Sequence, residues 1–189
     1  MSDHTLRGST TTVPVVMPGI SGDLEDLAQI VADQVESFLL AVREIARAED
    51  AGPVVPLLLL EVSQLLLAGA RLAAHVDIVP MEEYEPDAGP DPDLDVLRER
   101  LAGLLREADE YTELFDPYEM PPELVPSKLS DDIAGIASAV AHGLRHHRAG
   151  RIDEALWSWQ FSYVSSWGAE ASAVLRALQS VISHDRLDA

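Results

Sequence analysis

Apolar residues recur every three or four positions along most of the chain, which is the spacing of one buried face of an α-helix. The first such stretch predicts a helix from Asp23 to about Glu49. Asp23 and Ser130 are the predicted N-caps of the first and fourth helices, because their side chains accept hydrogen bonds from backbone N–H groups. We expect the last and longest helix to bend near Gly168. The four further predicted helices cover residues 53–75, 93–115, 130–148 and 152–187.

The second predicted helix is apolar on almost every side, and a helix of that kind is typical of the centre of a bundle. Glu61 and Arg71 near its middle would be costly inside a membrane. No segment shows the alternation that predicts a strand. The pattern therefore predicts an all-α fold, a single-domain bundle of about five helices over residues 23–189. Two long Pro-rich acidic loops and a disordered N-terminal tail over residues 1–22 complete it.

Composition narrows the classes of function. The 189 residues include no cysteine, which excludes a thiol nucleophile and cysteine metal sites and fits a reducing cytoplasm. The formal net charge of −20 repels phosphate, so we expect neither direct nucleic acid binding nor a membrane. A basic protein partner is electrostatically favoured. The N-terminus lacks the apolar stretch of a signal peptide, so the expected location is cytoplasmic, and the oligomeric state stays open.

Five stretches of the sequence carry a resemblance to one known family: VADQVESFL (31–39), LLLEVSQLLLAGARL (58–72), FDPYE (115–119), SDDIA (130–134) and EALWSWQFSYVSSWGAEASAVLRALQ (154–179). In these stretches the sequence resembles a bacterial domain-of-unknown-function family, number 5063, that is common in actinomycetes. The resemblance implies a compact helical protein, often encoded near recombination and replication genes, and it implies no activity and no catalytic residues.

A polar stripe on the second helix is the first candidate binding surface. At 100° per residue, its members project within about 80° of one another. The stripe lines a pocket in one interpretation, with Arg71 holding an anionic group and Glu61 as its counter-charge. In the other interpretation it joins a buried hydrogen-bond network with Gln160 or Glu170 of a neighbouring helix. The stripe consists of Glu61, Gln64, Arg71 and His75.

Aromatic residues are concentrated in the fifth helix, where Trp159, Tyr163 and Trp167 are further candidate binding residues. They form either a stacking pocket for a ligand or an ordinary packed core in which each N–H and O–H finds a partner. An exposed Trp159 would favour the pocket.

Two other patterns suggest metal ions. His142 and His146 have the spacing of a helical metal pair, but arginines beside them repel a cation, and histidine also suits a helix C-terminus. Glu107, Glu110 and Glu113 resemble, in spacing alone, the Glu-x-x-Glu carboxylates with which all-α nucleotide pyrophosphatases hold Mg²⁺. A second carboxylate pair on a facing helix is required and none is identified, so a solvated helix face is the default. We predict no metal, no cofactor and no catalytic residue.

Two functions remain open. A non-enzymatic protein-interaction or adaptor domain predicts an exposed apolar or aromatic patch flanked by acid. A small-molecule-binding or metal-dependent hydrolase domain predicts a pocket between helix 53–75 and helix 152–187. The lack of any catalytic motif favours the first function.

Overall fold

The computed structural model describes residues 20–80 and 84–187. It confirms a mainly α-helical single domain, with one small antiparallel sheet. The predicted tail lies outside the described residues as far as residue 19, and the first helix already begins at Ile20. The helices are α1 (Ile20–Ile45), α2 (Val54–Ala73), α3 (Asp95–Leu105), α4 (Leu129–Arg148), α5 (Ile152–Ser162) and α6 (Gly168–Leu187).

The long helix predicted over 152–187 is present. It consists of α5, one π-helical turn over Tyr163–Trp167, and α6. Helical backbone angles at Ser162 and Gly168 make the three parts continuous, so the bundle has five helices in the described part of the chain. The π-helical turn lies immediately before Gly168, where the sequence predicts a bend.

The segment after α3 differs from the prediction. The sequence predicts a helix reaching Phe115, but α3 ends at Leu105, and Arg106 adopts a positive φ of 53° that an α-helix cannot continue. A short 3₁₀ turn leads into strand β1 (Glu110–Leu114), which pairs with strand β2 (Leu124–Lys128). The expectation of no strand is therefore wrong, and the second predicted loop is largely a β-hairpin.

The start of α4 also differs from the prediction. Ser130 lies inside the helix and is not its cap. The buried carboxylate of Asp109 provides that cap, because it accepts hydrogen bonds from the Ser130 backbone N–H at 2.8 Å and from the Ser130 hydroxyl at 2.9 Å. Asp109 thereby joins the hairpin to the first turn of α4.

The hairpin has a regular register in which each β1 residue faces one β2 residue. Phe115 N–H bonds to Glu123 C=O at 3.1 Å, and Leu129 N–H bonds to Asp109 C=O at 2.9 Å. These two bonds fix the alternation, so the odd-numbered residues of β1 bond to β2 and the even-numbered ones direct N–H and C=O away from it. Thr112 faces Pro126 at a non-bonded pair, where the missing N–H of proline costs nothing inside the hairpin.

The core lies between α1, α2, α4 and the long helix. Helix α2 buries one face, but Leu60 and Leu67 on its other face are 51% and 56% exposed. The prediction of a helix buried on all sides therefore holds only for half of α2. By length and composition α2 is apolar enough to cross a membrane, a test that core helices of water-soluble proteins also pass. The largest buried side chains include Phe38, Leu58, Ile136, Trp159 and Leu178.

Candidate functional site

The polar stripe of α2 does not converge on one point. Arg71 and His75 are exposed, whereas Glu61 and Gln64 are half-buried. Among the described residues Arg71 forms no ion pair with Glu61. Gln64 Oε1 instead accepts a hydrogen bond from Gln34 Nε2 at 3.3 Å. Burial raises the pKa of Glu61, and its Oε2 has no hydrogen-bond partner in the described part of the chain.

Gln160, one expected partner of the stripe, bonds to the backbone where α2 ends. Its Nε2 donates to Leu72 C=O at 2.9 Å, and its Oε1 accepts from Ile78 N–H at 2.8 Å. The last carbonyls of a helix lack intrahelical partners, so this amide stabilises the end of α2 and the chain that leaves it. Gln160 is buried and its role is structural.

The three candidate aromatic residues are packed against glycines. Trp159 is fully buried, and its Nε1 donates to Val140 C=O at 2.9 Å. Tyr163 and Trp167 meet edge to face, with ring centroids 4.8 Å apart. A Cβ on Gly69 of α2 would lie 2.3 Å from the Tyr163 ring and 2.6 Å from Trp167. At Gly69, therefore, these rings themselves occupy the space between helix 53–75 and helix 152–187.

His142 and His146 do approach a carboxylate, that of Glu85 in the long acidic loop. The Nε2 atoms lie 2.6 Å and 2.9 Å from Glu85 Oε1, and His146 is fully buried. Although burial raises the pKa of Glu85, the hydrogen bonds from both histidines lower it overall. Sequence reasoning did not identify Glu85, because 57 residues separate it from His142 and no periodicity links a loop to a distant helix.

These three side chains have ligand atoms close enough for a metal ion, but their tautomers oppose it. Arg145 Nη2 lies 2.8 Å from His142 Nδ1, and Arg151 Nε donates to His146 Nδ1 at 3.1 Å. Each Nδ1 therefore accepts, and each Nε2 carries the proton that it donates to Glu85. Metal-binding histidines show the opposite arrangement, with the free nitrogen donating to an acceptor. The cluster is a hydrogen-bond network that joins the loop to α4.

A groove of about 840 Å³ lies between β1 and α6. Six consecutive residues, Glu110–Phe115, line it. Successive side chains of a strand point to opposite faces, so a groove lined by a continuous run lies along the edge of the strand and not over one face alone; Leu124 of β2 also lines it. The opposite wall is the face of α6 that carries Ala169, Ala173 and Ala177, with Arg176 and His184 beside them. The unpaired edge of β1 thus borders an open groove.

Glu113, which lines this groove, interacts with two carboxylates that do not line it, Asp132 and Glu170. Burial, and then the charge of Asp132, raises the pKa of Glu113. Burial also raises the pKa values of Asp132 and Glu170, and for Glu170 the charges of Asp132 and Glu113 add to the effect. The hydroxyl of Tyr111 donates to Asp132 at 2.6 Å, and burial together with this bond raises the pKa of Tyr111 well above its usual range. The carboxylates repel one another.

The fold is that of a small helical domain with an inserted hairpin. The chain belongs to the domain-of-unknown-function family 5063, whose sequence model matches residues 22–184. It is similar in structure to protein BF1032 from Bacteroides fragilis, with a TM-score of 0.61 and 20% identity. That match covers 83% of this chain and 90% of the other, and it shows the fold alone. No curated protein matches the chain.

Proposed function

We propose that this protein is a non-enzymatic interaction domain that binds a basic segment of a partner protein in the groove between β1 and α6. The observation that carries the proposal is the groove itself, which combines an apolar wall with two carboxylates, Glu107 and Glu113, that form no ion pair among the described residues.

The shape of the groove fits a short stretch of polypeptide. Ala173 and Ala177 make a shallow wall on α6, and Leu114 and Phe115 add apolar surface at the opposite end. Phe115 is 65% exposed, which is unusual for a phenylalanine that has no partner to cover it. Exposed aromatic and aliphatic side chains beside charged groups are typical of protein interfaces.

The charge of the groove favours lysine and arginine in the partner. Glu107 and Glu113 line it, and among the described residues neither forms an ion pair. Lys128 faces Glu110 across the hairpin but is not within ion-pair distance of it. Burial raises the pKa of Glu113 and the charge of Asp132 adds to the rise, so a cation placed beside Glu113 would offset that repulsion. Arg176 and His184 on the opposite wall can bind one acidic or carbonyl group of the partner.

The net charge of −20 favours some classes of partner over others by electrostatics. It disfavours nucleic acid and anionic lipid and attracts basic proteins over the range of the Debye length. The absence of cysteine suits a cytoplasmic setting. The alternative, a small-molecule or hydrolase pocket between helix 53–75 and helix 152–187, has less support, because Tyr163 and Trp167 pack directly onto Gly69 there.

The test uses a fluorescein-labelled peptide of eight residues, alternating lysine and valine, and a counterpart that alternates glutamate and valine. We expect fluorescence anisotropy to detect binding of the lysine peptide, weakened by salt, and little binding of the glutamate peptide. The double variant Glu107→Gln with Glu113→Gln should bind the lysine peptide about tenfold more weakly, since each lost charge pair costs up to about 1 kcal/mol.

The matched control is Glu25→Gln with Glu99→Gln, which removes two exposed charges outside the groove. It should bind within about twofold of the natural protein, because distant charges are screened. Equal losses in both double variants would mean that only net charge attracts the peptide and would refute a site in the groove.

A further inference from the structure

We infer that the partner segment binds as an added β-strand, pairing with the outer edge of β1 through the backbone of Glu110, Thr112 and Leu114. This inference rests on the proposed function and specifies its mode. It comes from the register of the hairpin and from the different chemistry of its two edges.

The edge of β1 has free hydrogen-bonding groups. The N–H and C=O groups of Thr112 and Leu114 point away from β2, and within the described residues no hydrogen bond is made to them. The groove follows this edge. An extended peptide in the groove would therefore meet a row of alternating donors and acceptors, which is the arrangement that strand addition requires.

The two edges of the hairpin are not equivalent. On β2 the backbone N–H and C=O groups of the even-numbered residues also point away from the partner strand. At these positions Pro126 has no N–H to donate and Lys128 adds a charge. Proline and lysine are the usual means by which proteins block an exposed strand edge. On β1 the corresponding positions hold Glu110, Thr112 and Leu114, all able to donate an N–H. Only the edge beside the groove is open to pairing.

The charges at this edge decide which strand is accepted. In a full-length antiparallel pairing with a second copy of β1, Glu110 would face Leu114 and Glu113 would face Tyr111, so a second copy brings no cation to either glutamate. Because successive side chains alternate, Glu110 lies on the exposed face of β1 and Glu113 on the half-buried face. A strand with lysine or arginine on its exposed face would place a cation beside Glu110. Since the other face of an added strand lies against Ala173 and Ala177 of α6, the accepted pattern alternates basic with apolar residues.

The first experiment compares Thr112→Pro with Thr112→Val, using the peptide of alternating lysine and valine. Proline removes the outward N–H and leaves the bonds to β2 intact, as Pro126 already does on the other strand. Valine keeps the N–H and replaces only the hydroxyl. We expect Thr112→Pro to weaken binding by about tenfold and Thr112→Val to leave it within about twofold. Equal binding by both variants overturns strand addition.

A second experiment leaves the protein unchanged, in case Thr112→Pro disturbs the hairpin. Two versions of the lysine–valine peptide carry N-methyl groups, one on every valine and the other on every lysine. In an added strand, the backbone N–H groups of either the valines or the lysines point toward β1. Methylation of that set removes the hydrogen bonds to β1, so at least one version should bind about tenfold more weakly. On binding of the parent peptide, amide exchange should slow at Thr112 and Leu114. Full binding of both methylated peptides overturns the inference.

The outcomes separate this inference from the proposed function. If the charge variants weaken binding but neither Thr112→Pro nor N-methylation does, the groove binds a basic segment in another conformation and strand addition is refuted. If the lysine peptide does not bind at all, both are refuted. If sedimentation shows a dimer that Thr112→Pro dissociates, the edge holds a second copy of the chain and a basic partner is refuted.

Discussion

The side chain of Asp109 accepts both hydrogen bonds that Ser130 can donate, one from its backbone N–H at 2.8 Å and one from its hydroxyl at 2.9 Å. Both residues are buried. Asp109 precedes β1 and Ser130 lies in the first turn of α4, so one carboxylate holds the start of the hairpin against the helix.

Replacement of Asp109 should therefore destabilise the domain. We expect Asp109→Ala to lower the free energy of unfolding by about 1–3 kcal/mol, because it leaves a buried N–H and a buried hydroxyl without acceptors. Urea denaturation followed by circular dichroism measures the change. Asp116→Ala is the control, because Asp116 also accepts a backbone N–H, from Tyr118, but in an exposed turn. If Asp109→Ala lowers the free energy of unfolding by less than Asp116→Ala does, the capping role of Asp109 is contradicted.

The contact between Gly69 and the rings of Tyr163 and Trp167 predicts the effect of a single methyl group. Gly69→Ala should destabilise the fold by about 1–3 kcal/mol, because the rings must move to admit the Cβ. Gly103→Ala on α3 should stabilise it by about 0.5–1 kcal/mol, since nothing lies within 4 Å of the added Cβ and alanine favours a helix. Thermal and urea denaturation report both. If Gly69→Ala is neutral, the space there is larger than the packing indicates, and a pocket between helix 53–75 and helix 152–187 regains support.

The carboxylates beside the groove should make stability depend on pH. Burial and repulsion raise the pKa of Glu170 above 4.5, so its contribution is fully present below that pH and is lost as pH rises through the higher value in the folded protein. Glu170→Gln should therefore stabilise the protein at pH 7, by about 1 kcal/mol or less, and the gain should vanish near pH 4. Glu99→Gln, at an exposed helical position, is the control. A gain that persists at acid pH would assign the effect to something other than charge.

The hydrogen-bond network around Glu85 predicts that zinc does not change the thermal stability of the protein. Because Arg145 and Arg151 donate toward the Nδ1 atoms of His142 and His146, a metal would have to displace both guanidinium groups before the Nε2 atoms could bind it. The thermal midpoint should not change when zinc is added in slight excess. A rise that His146→Gln abolishes would show that the three side chains rearrange into a metal site.

Helix periodicity accounts for the parts of the fold that the sequence predicts. The long helix over 152–187 was predictable because its apolar residues repeat along the whole segment. The hairpin was not, since Glu107, Glu110 and Glu113 fall three apart and imitate the solvated face of a helix, although the strand pattern in fact alternates between exposed and half-buried residues. Five-residue strands offer too few alternations to outweigh that spacing.

The candidate site shows a different limit of sequence reasoning. Spacing places Glu61 and Arg71 on neighbouring faces of α2, but only packing decides how the helix is rotated, and it leaves Arg71 in solvent. Gln160 was expected to bond to the polar stripe of α2, but its partners are backbone groups at the end of that helix, which a pattern of side chains cannot reveal. The unpaired edge of β1 could not be predicted, because it follows from the register of β1 with β2.

Pro126 has one further consequence, which concerns stoichiometry. A sheet that gains a strand usually exposes a new edge and can grow without limit, as fibrils do. Here growth can begin on one side only, because the outward position of Pro126 on β2 cannot donate a hydrogen bond. A domain that has paired through β1 therefore has no second edge to offer, and we expect that domains do not join hairpin to hairpin into a growing sheet, even at concentrations at which an unprotected hairpin would polymerise.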